Sequence, residues 1–380
     1  MVTKNDFNGN CITYSQMNLI FNSRIFMRRF TTWIRVYIIS RYAGIGTADD
    51  SFERLYLEAT ELGGMLRIIF GRNISNSFTQ LMRQLTIGSR ELITAQLQGD
   101  TEAVQQNVDN LYKDTENIAA FLASINPYLN ETEWRDMLGI YLRYTIEEAN
   151  LFIAGNFSRD IEILDRLTNL TNEIGDTFAQ ALYNYMTSGS QGAEGNIPPR
   201  QCVTYDQMNG IYEIRMFWFE LASWIRAYML SRYMGHGDSN ELLARLKQVP
   251  VNYISMLKQI FSAEDVEHDL HLINNYIDLI DAFITARLED DTDEVNRITQ
   301  LLYQNADERA AFLASINPFW DQEEWRARLY GNVRSTIDEF TTFLTEDYAR
   351  NLDIFSTLLD QAESTSDYHA KGLFDYVNYP

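Results

Sequence analysis

AAFLASINP occupies Ala119–Pro127, and the same nine letters return at Ala310–Pro318. The run AAFLASI closes a helix. Asn126 stands before Pro127, whose ring disfavours helical backbone in the residue ahead of it, so the chain must leave the helix at that point. A new helix starts at once: Asn130 reads as its N-cap, Glu133 as the return partner of a capping box, and Leu129 and Trp134 occupy the positions that a hydrophobic staple joins. The second copy fills the same slots with Asn317, Pro318, Trp320, Asp321, Glu324 and Trp325. The stretch is therefore a corner between two packed helices, in which every residue has a local structural role.

The two corners lie 191 residues apart, and the same offset relates Cys11 to Cys202, Trp33 to Trp224, Trp134 to Trp325 and Arg159 to Arg350 without a gap. A chain of 380 residues that repeats itself once in phase reads as a duplicated domain of ordinary size. The joint is SGSQGAEGNIPPR, Ser188–Arg200, where glycines 189, 192 and 195 precede Pro198 and Pro199 and every periodic pattern lapses. The expected organisation is one repeat over 1–188, a linker over 189–200 and a second repeat over 201–380.

Helical periodicity dominates both halves. Met27, Phe30, Ile34 and Tyr37 step by three and four, as do Ile214, Trp218, Leu221, Ile225 and Tyr228. Leu138, Leu142, Thr145, Ala149 and Phe152 are matched by Leu329, Val333, Thr336, Phe340 and Phe343, the spacing of a bundle seam. The spacing predicts helices over 15–42, briefly near 50–58, then over 74–98, 101–124, 131–154 and 157–187, with the second half following at the same offset. LQGDTEA, Leu97–Ala103, supplies Gly99 as a helix-terminating glycine and Asp100 or Thr101 as the next N-cap, so two long helices meet there in a hairpin. The fold class is all-α, as two tandem bundles of four to five long helices each.

Composition narrows the partners. The chain is 46% hydrophobic and carries 31 basic against 53 acidic residues, a formal charge of −22, which repels phosphate backbones and anionic lipid. No nucleic acid and no membrane insertion are expected: the most apolar stretch, Ile211–Leu230, is interrupted by Glu213, Arg215, Glu220 and Arg226. Two cysteines, one near each repeat's start, read as packed free thiols rather than a Cys11–Cys202 bridge. The N-terminal residues lack the apolar run of a signal peptide, so the chain reads as cytoplasmic.

Catalytic patterns are sparse. His236, His268, His271 and His369 all lie in the second half without counterparts in the first, so no duplicated histidine site is legible. His268 and His271 stand one turn apart amid Glu264, Asp265, Glu267 and Asp269, a spacing that can bind a divalent ion, but without a defined third ligand an exposed acidic helix face is the favoured reading. LEDDTDE, Leu288–Glu294, has five carboxylates but neither the ligand spacing nor the turn glycine of a calcium loop. There is no phosphate-binding loop and no nucleophile elbow. No cofactor is expected, and no catalytic residue stands out.

One polar pair is singled out by its surroundings. Arg35 and Arg226 hold the same place in TWIRVY and SWIRAY, on a helix whose other residues are mostly apolar, and such an arginine requires a carboxylate. Glu148 in IEEA and Glu339 in IDEF flank a later core stripe at the same offset. Two readings follow: an ion pair that fixes helix register, or an arginine clamp for an anionic ligand.

The W-x-R helix, AFLASINP with the aromatic that follows it, the E-x-E-W helix start and the I-E-E-A run together resemble a family of small bacterial all-helical proteins of unknown function. The resemblance covers most of each half, whereas members of that family are usually one copy long. Some members are labelled acetylglutamate kinases. That label implies an α/β fold with glycine-rich phosphate loops, which this sequence does not show. The functional expectation is a non-enzymatic acidic protein, not an enzyme, acting through a protein partner or self-association in a scaffold role, with divalent cations admitted at its acidic faces. Assembly should rise with concentration and be strengthened by salt or divalent ions. The alternative is a bundle that binds or stores a small ligand or divalent cation. A ligand-binding bundle should show a core pocket lined by the arginine pairs, and a scaffold a filled core with an apolar patch outside.

Overall fold

The computed structural model describes residues 12–46, 48–188, 202–235 and 239–378, apart from the side chains at 186, 187, 202, 205, 206 and 252. The expected linker, His236 and the Cys11 and Cys202 side chains lie outside the described residues.

The fold is all-α. In chain order the elements are β1 (Ile12–Thr13), α1 (Tyr14–Ala43), α2 (Ala48–Phe70), α3 (Arg72–Gln98), α4 (Thr101–Ile125), α5 (Glu131–Ile153), α6 (Phe157–Ser188), β2 (Cys202–Val203), α7 (Tyr205–Met234), α8 (Ser239–Leu246), α9 (Val249–Leu257), α10 (Ala263–Leu288), α11 (Thr292–Ile316), α12 (Gln322–Leu344) and α13 (Tyr348–Asn378). The chain divides into two compact units. The first holds the helices from Ser15 through α6, and the second holds α7 to α13 together with the residues leading up to Tyr14. In the second unit Ile12 and Thr13 pair antiparallel with Val203 and Cys202. Helical periodicity carries no signal for this two-residue pairing.

Within each unit successive helices pack as neighbours. In the first, α2 lies on α3, α3 on α4, α4 on α5 and α5 on α6; in the second, α10 to α13 repeat this order and α13 returns to α7. The cores are the stripes expected from the sequence: Phe30, Ile34, Tyr37, Leu138 and Leu142 are buried in the first, and Trp218, Leu221, Ile225, Phe340 and Phe343 in the second. Phe152 at the end of one stripe is only half-buried.

The first unit holds six helices of 23 residues or more, above the expected four to five, because α2 runs through Gly63 and Gly64 instead of stopping near residue 58. Glycine there serves a close approach. Ser75 Oγ donates to Gly63 O at 2.6 Å, and a Cβ on Gly63 would stand 1.7 Å from Thr79 Oγ1. In the second unit the corresponding stretch breaks into α8 and α9 around Pro250, which has no amide to continue the ladder of α8 and is accommodated in the first turn of α9. Helix α3 ends at Gly99 in the left-handed conformation (φ 69°), and Asp100 caps α4 by accepting from Ala103 N at 3.0 Å. Asp290 holds the left-handed position (φ 56°) at the matching hairpin of the second unit.

Candidate functional site

The corners are built as follows. Asn126 and Asn317 end α4 and α11 in extended backbone, and both are fully buried. Asn126 Nδ2 donates to Ala181 O on α6 at 3.0 Å, while its Oδ1 accepts from Tyr128 N at 3.0 Å. Asn317 repeats this with Gly372 O on α13 at 3.1 Å and Phe319 N at 2.9 Å. One amide thus both closes the turn around Pro127 or Pro318 and ties it to the last helix of its unit. The next helix is capped by Asn130, accepting from Glu133 N at 3.0 Å, and by Asp321, accepting from Glu324 N at 2.9 Å. The expected return half of the capping box forms in neither unit: the exposed Glu133 side chain does not accept from Asn130 N, and in the second unit another group takes that place. Asp321 N donates to Tyr368 Oη at 2.7 Å, and the Glu324 carboxylate pairs with Arg328 at 2.6 Å, because α13 brings a hydroxyl closer than the side chain three residues on. Leu129 and Trp134 are both buried, and Trp320 packs edge-on against Trp325 at 5.7 Å.

The structure brings both arginine–glutamate pairs together. Arg35 Nη1 donates to Glu148 Oε1 at 2.5 Å, and Arg226 Nη1 donates to Glu339 Oε1. Both glutamates are buried to within 1% exposure, so each carboxylate has exchanged water for a guanidinium. The environments differ. Arg35 also donates to Asp160 at 3.2 Å from Nη1 and 2.7 Å from Nη2, a residue the sequence reading did not pick out. Burial lowers the Arg35 pKa, but Asp160 and Glu148 outweigh it and hold the group above its ordinary value. The position of Asp160 is Asn351 in the second repeat, which instead donates to Glu339 O at 2.9 Å. Burial there outweighs Glu339 alone, and the Arg226 pKa falls below its usual value. The Phe355 ring under the guanidinium, 4.4 Å away, compensates part of the lost hydration. In both pairs burial drives the glutamate pKa up against the pull of its arginine.

A second matched pair was not anticipated. Arg24 and Arg215, both buried, reach Asp176 and Asp367, the latter at 2.9 Å. The signal was available, since both residues recur at the offset of 191, but arginine and aspartate sit on helices too far apart in sequence for spacing to join them.

The second unit holds one more buried polar group. Asp269 accepts from Arg309 Nε at 2.8 Å and from Tyr253 Oη at 2.7 Å, and Trp218 Nε1 donates to His369 Nδ1 at 3.0 Å. The Arg309 guanidinium lies 5.0 Å from the Trp218 ring. Burial, then Arg309, pushes the His369 pKa well below its usual value, so its ring is neutral and accepts from the indole. Asp269 therefore does not belong to the expected acidic face around His268 and His271. Those two histidines are exposed, and His268 packs edge-on against Phe312 at 4.6 Å. No group of three or more His, Cys, Asp or Glu that could hold a metal ion occurs among the described residues.

Two concavities bear on the choice between ligand-binding bundle and scaffold. The first unit's core encloses a void of about 30 Å³, lined by Phe26, Met27, Phe78, Ile118, Trp134 and Phe178 among others. None of the paired arginines lines it. The other is an open groove of about 430 Å³ between α2 and α3, formed by Phe52, Glu53, Tyr56, Leu57, Ile87 and Arg90. Its floor is a row of rings, with Tyr37 to Phe52 at 5.6 Å and Phe52 to Tyr56 at 6.1 Å. Arg90 lies over Phe52 at 4.3 Å and Arg83 over Tyr56 at 4.7 Å. Arg83 also donates to Thr60 Oγ1 at 2.8 Å, and neither arginine is within salt-bridge reach of a carboxylate among the described residues. Leu57, on the rim, is 51% exposed. In the second repeat the matching positions are Leu243, Ala244, Lys247, Gln248, Asp278 and Asp281, and charges close that face: Lys247 pairs with Asp278 and Arg232 with Asp281, both at 2.6 Å.

No helix among the described residues is long and apolar enough to cross a membrane. Comparison with protein-family models, with curated proteins and with solved structures gives no match.

Proposed function

We propose that this chain is a non-enzymatic protein of the cytoplasm that acts by association, and that its two units are tandem copies of one helical bundle joined by the linker at 189–200. The repeat argument is supported by α1 and α7, α4 and α11, and α5 and α12, whose ends all fall 191 residues apart. The observation that carries the functional reading is the contrast between inside and outside. Arg35, Arg226 and Arg309 face carboxylates of their own unit, which favours the register role over the ligand clamp, whereas Arg90, which lines the open groove, and Arg83 beside it stand on aromatic rings with no such partner among the described residues. A guanidinium stacked on a ring keeps its in-plane N–H donors available to an acidic partner. The groove combines an aromatic floor with Arg90 and Glu53 in its lining and Arg83 beside it, the mixed composition of a protein-docking surface. The apolar void in the first unit's core, about 30 Å³, is lined by none of the paired arginines, which does not favour the storage reading.

Light scattering after size exclusion, over a wide range of protein concentration, tests this. The expected result is a mass that rises with concentration or with an added protein partner, and that is reduced by Arg90→Glu. A mass fixed at one chain, together with tight binding of a small ligand, defeats the proposal in favour of storage.

A further inference from the structure

We propose that the α2–α3 groove of the first unit receives a second copy of this chain, by its acidic α10–α11 corner. This rests on the reading of the protein as one that associates, and it names the partner. The corner is Leu288–Glu294, LEDDTDE. Asp291 is committed to capping α11, accepting from Glu294 N at 3.0 Å, and Glu294 is held by Arg297 at 2.6 Å. Glu289, Asp290 and Asp293 remain, all exposed and in no salt bridge among the described residues, beside Leu288 at 40% exposure. An apolar foot flanked by carboxylates is the complement of an aromatic floor flanked by arginines.

Three further observations favour a copy of this chain as the occupant. Copies carrying a charge of −22 repel one another unless a cationic patch meets an acidic one, and Arg83 with Arg90 provides such a patch. The corner of the first unit, LQGDTEA, has two carboxylates where the second has five, and the groove of the second unit is occupied by its own ion pairs. Groove and corner therefore lie on different units, so the contact is heterologous and can propagate head to tail. Finally, Asp290 holds a left-handed backbone position that Gly99 fills in the first unit. Glycine is the unstrained choice there, so the carboxylate is present against a local backbone preference.

The test is a charge exchange followed by light scattering on the full chain. Two variants are made, Arg83→Glu with Arg90→Glu, and Asp290→Lys with Asp293→Lys. Each alone should weaken self-association about tenfold or more, since like charges then face across the contact. Mixing the two variants sets the altered groove of one against the altered corner of the other, so the mixture should recover association, as should a third chain carrying all four changes. Added sodium chloride should weaken the contact in the unaltered chain, opposite to what screening of the net charge alone would do. Association that is insensitive to the corner variant, or strengthened by salt, overturns the corner as partner while leaving the associating reading in place. A chain that stays monomeric at all concentrations but captures another protein through the groove also overturns it. Circular dichroism and melting of each variant show that loss of association is not loss of fold.

Discussion

Asn317→Ala should destabilise the second unit by an amount that its two hydrogen bonds define. The side chain is fully buried at the end of α11, donating to Gly372 O at 3.1 Å and accepting from Phe319 N at 2.9 Å. Alanine removes both bonds and leaves the Phe319 amide without its acceptor in a half-buried turn. A net contribution of about 1 kcal/mol per bond, with a further ~1–2 kcal/mol for the orphaned donor, gives a loss of roughly 3–4 kcal/mol. Asn317→Asp keeps the acceptor but sets a carboxylate against the Gly372 carbonyl oxygen, and its loss should equal or exceed that of alanine. Asn126→Ala is the internal replicate, because its bonds to Ala181 O and Tyr128 N have the same form. Urea unfolding followed by tryptophan fluorescence measures each variant at fixed slope. A loss below about 0.5 kcal/mol for both asparagines would falsify the reasoning, since that is the scale of an ordinary surface substitution.

Three other outcomes follow from the buried charges and the hairpin. Burial raises the pKa of Glu58 to about 7, against the pull of Arg29 at 3.2 Å, and raises that of Glu148 as well. Groups raised in this way contribute stability that is fully present below their unfolded value near 4.5 and is lost as pH rises through the folded one. The melting temperature of the first unit should therefore fall between pH 5 and pH 8, and Glu58→Gln should flatten that slope; a melting temperature that climbs over the same range contradicts the burial argument. Arg309→Met should cost about 3–5 kcal/mol by leaving Asp269 buried with Tyr253 alone, and adding Asp269→Asn should restore part of the loss in a double-mutant cycle. Asp290→Gly should stabilise the α10–α11 hairpin by about 0.5–1 kcal/mol, because glycine adopts the left-handed backbone without strain, and it should weaken self-association at the same time. A loss of stability in that variant would show that the Asp290 side chain supports the turn.

The corner and the core stripes were legible because their signals are local. A proline dictates the backbone of the residue before it, a cap needs its oxygen three residues from an amide, and an apolar stripe needs only its own period. The pairs Arg35–Glu148 and Arg226–Glu339 were legible for another reason: apolar flanks demand a partner, and repetition at one offset selects it. Asp160 escaped because it lies at the start of α6, off any core stripe, and has no acidic counterpart at Asn351 to draw attention to it. Asp269 escaped for the opposite reason, standing in an acidic run whose other members are solvated or half-buried. Pro250 could have predicted the break between α8 and α9, whereas the run of α2 past residue 58 through Gly63 and Gly64 rests on packing against Thr79 and Ser75 that no spacing shows. The groove depends on which helix faces meet, and no spacing within one helix contains that.

The repeats differ most where their cores should be most alike, and the pattern of difference bears on what was kept. Leu62, Phe78, Ile118 and Phe178 line the apolar void of the first unit, and the same four positions in the second are Tyr253, Asp269, Arg309 and His369. Introducing any one of these polar residues alone into an apolar core leaves a buried donor, acceptor or charge without a partner, at a cost of several kcal/mol for an ion. In combination they bond to one another: Asp269 takes both Arg309 and Tyr253, and His369 takes the indole of Trp218, which replaces Met27. The core has thus exchanged one self-consistent set for another while the asparagine corner beside it stayed letter for letter the same. Retention of shape is compatible with such a history, because each set is satisfied within its own unit. The outer faces changed under no such mutual constraint, and they diverged toward opposite character: stacked arginines on the first unit, free carboxylates on the second. Under the proposed duplication, copies that keep one shape and carry complementary surfaces would be suited to binding one another, and the charge-exchange experiment tests that property.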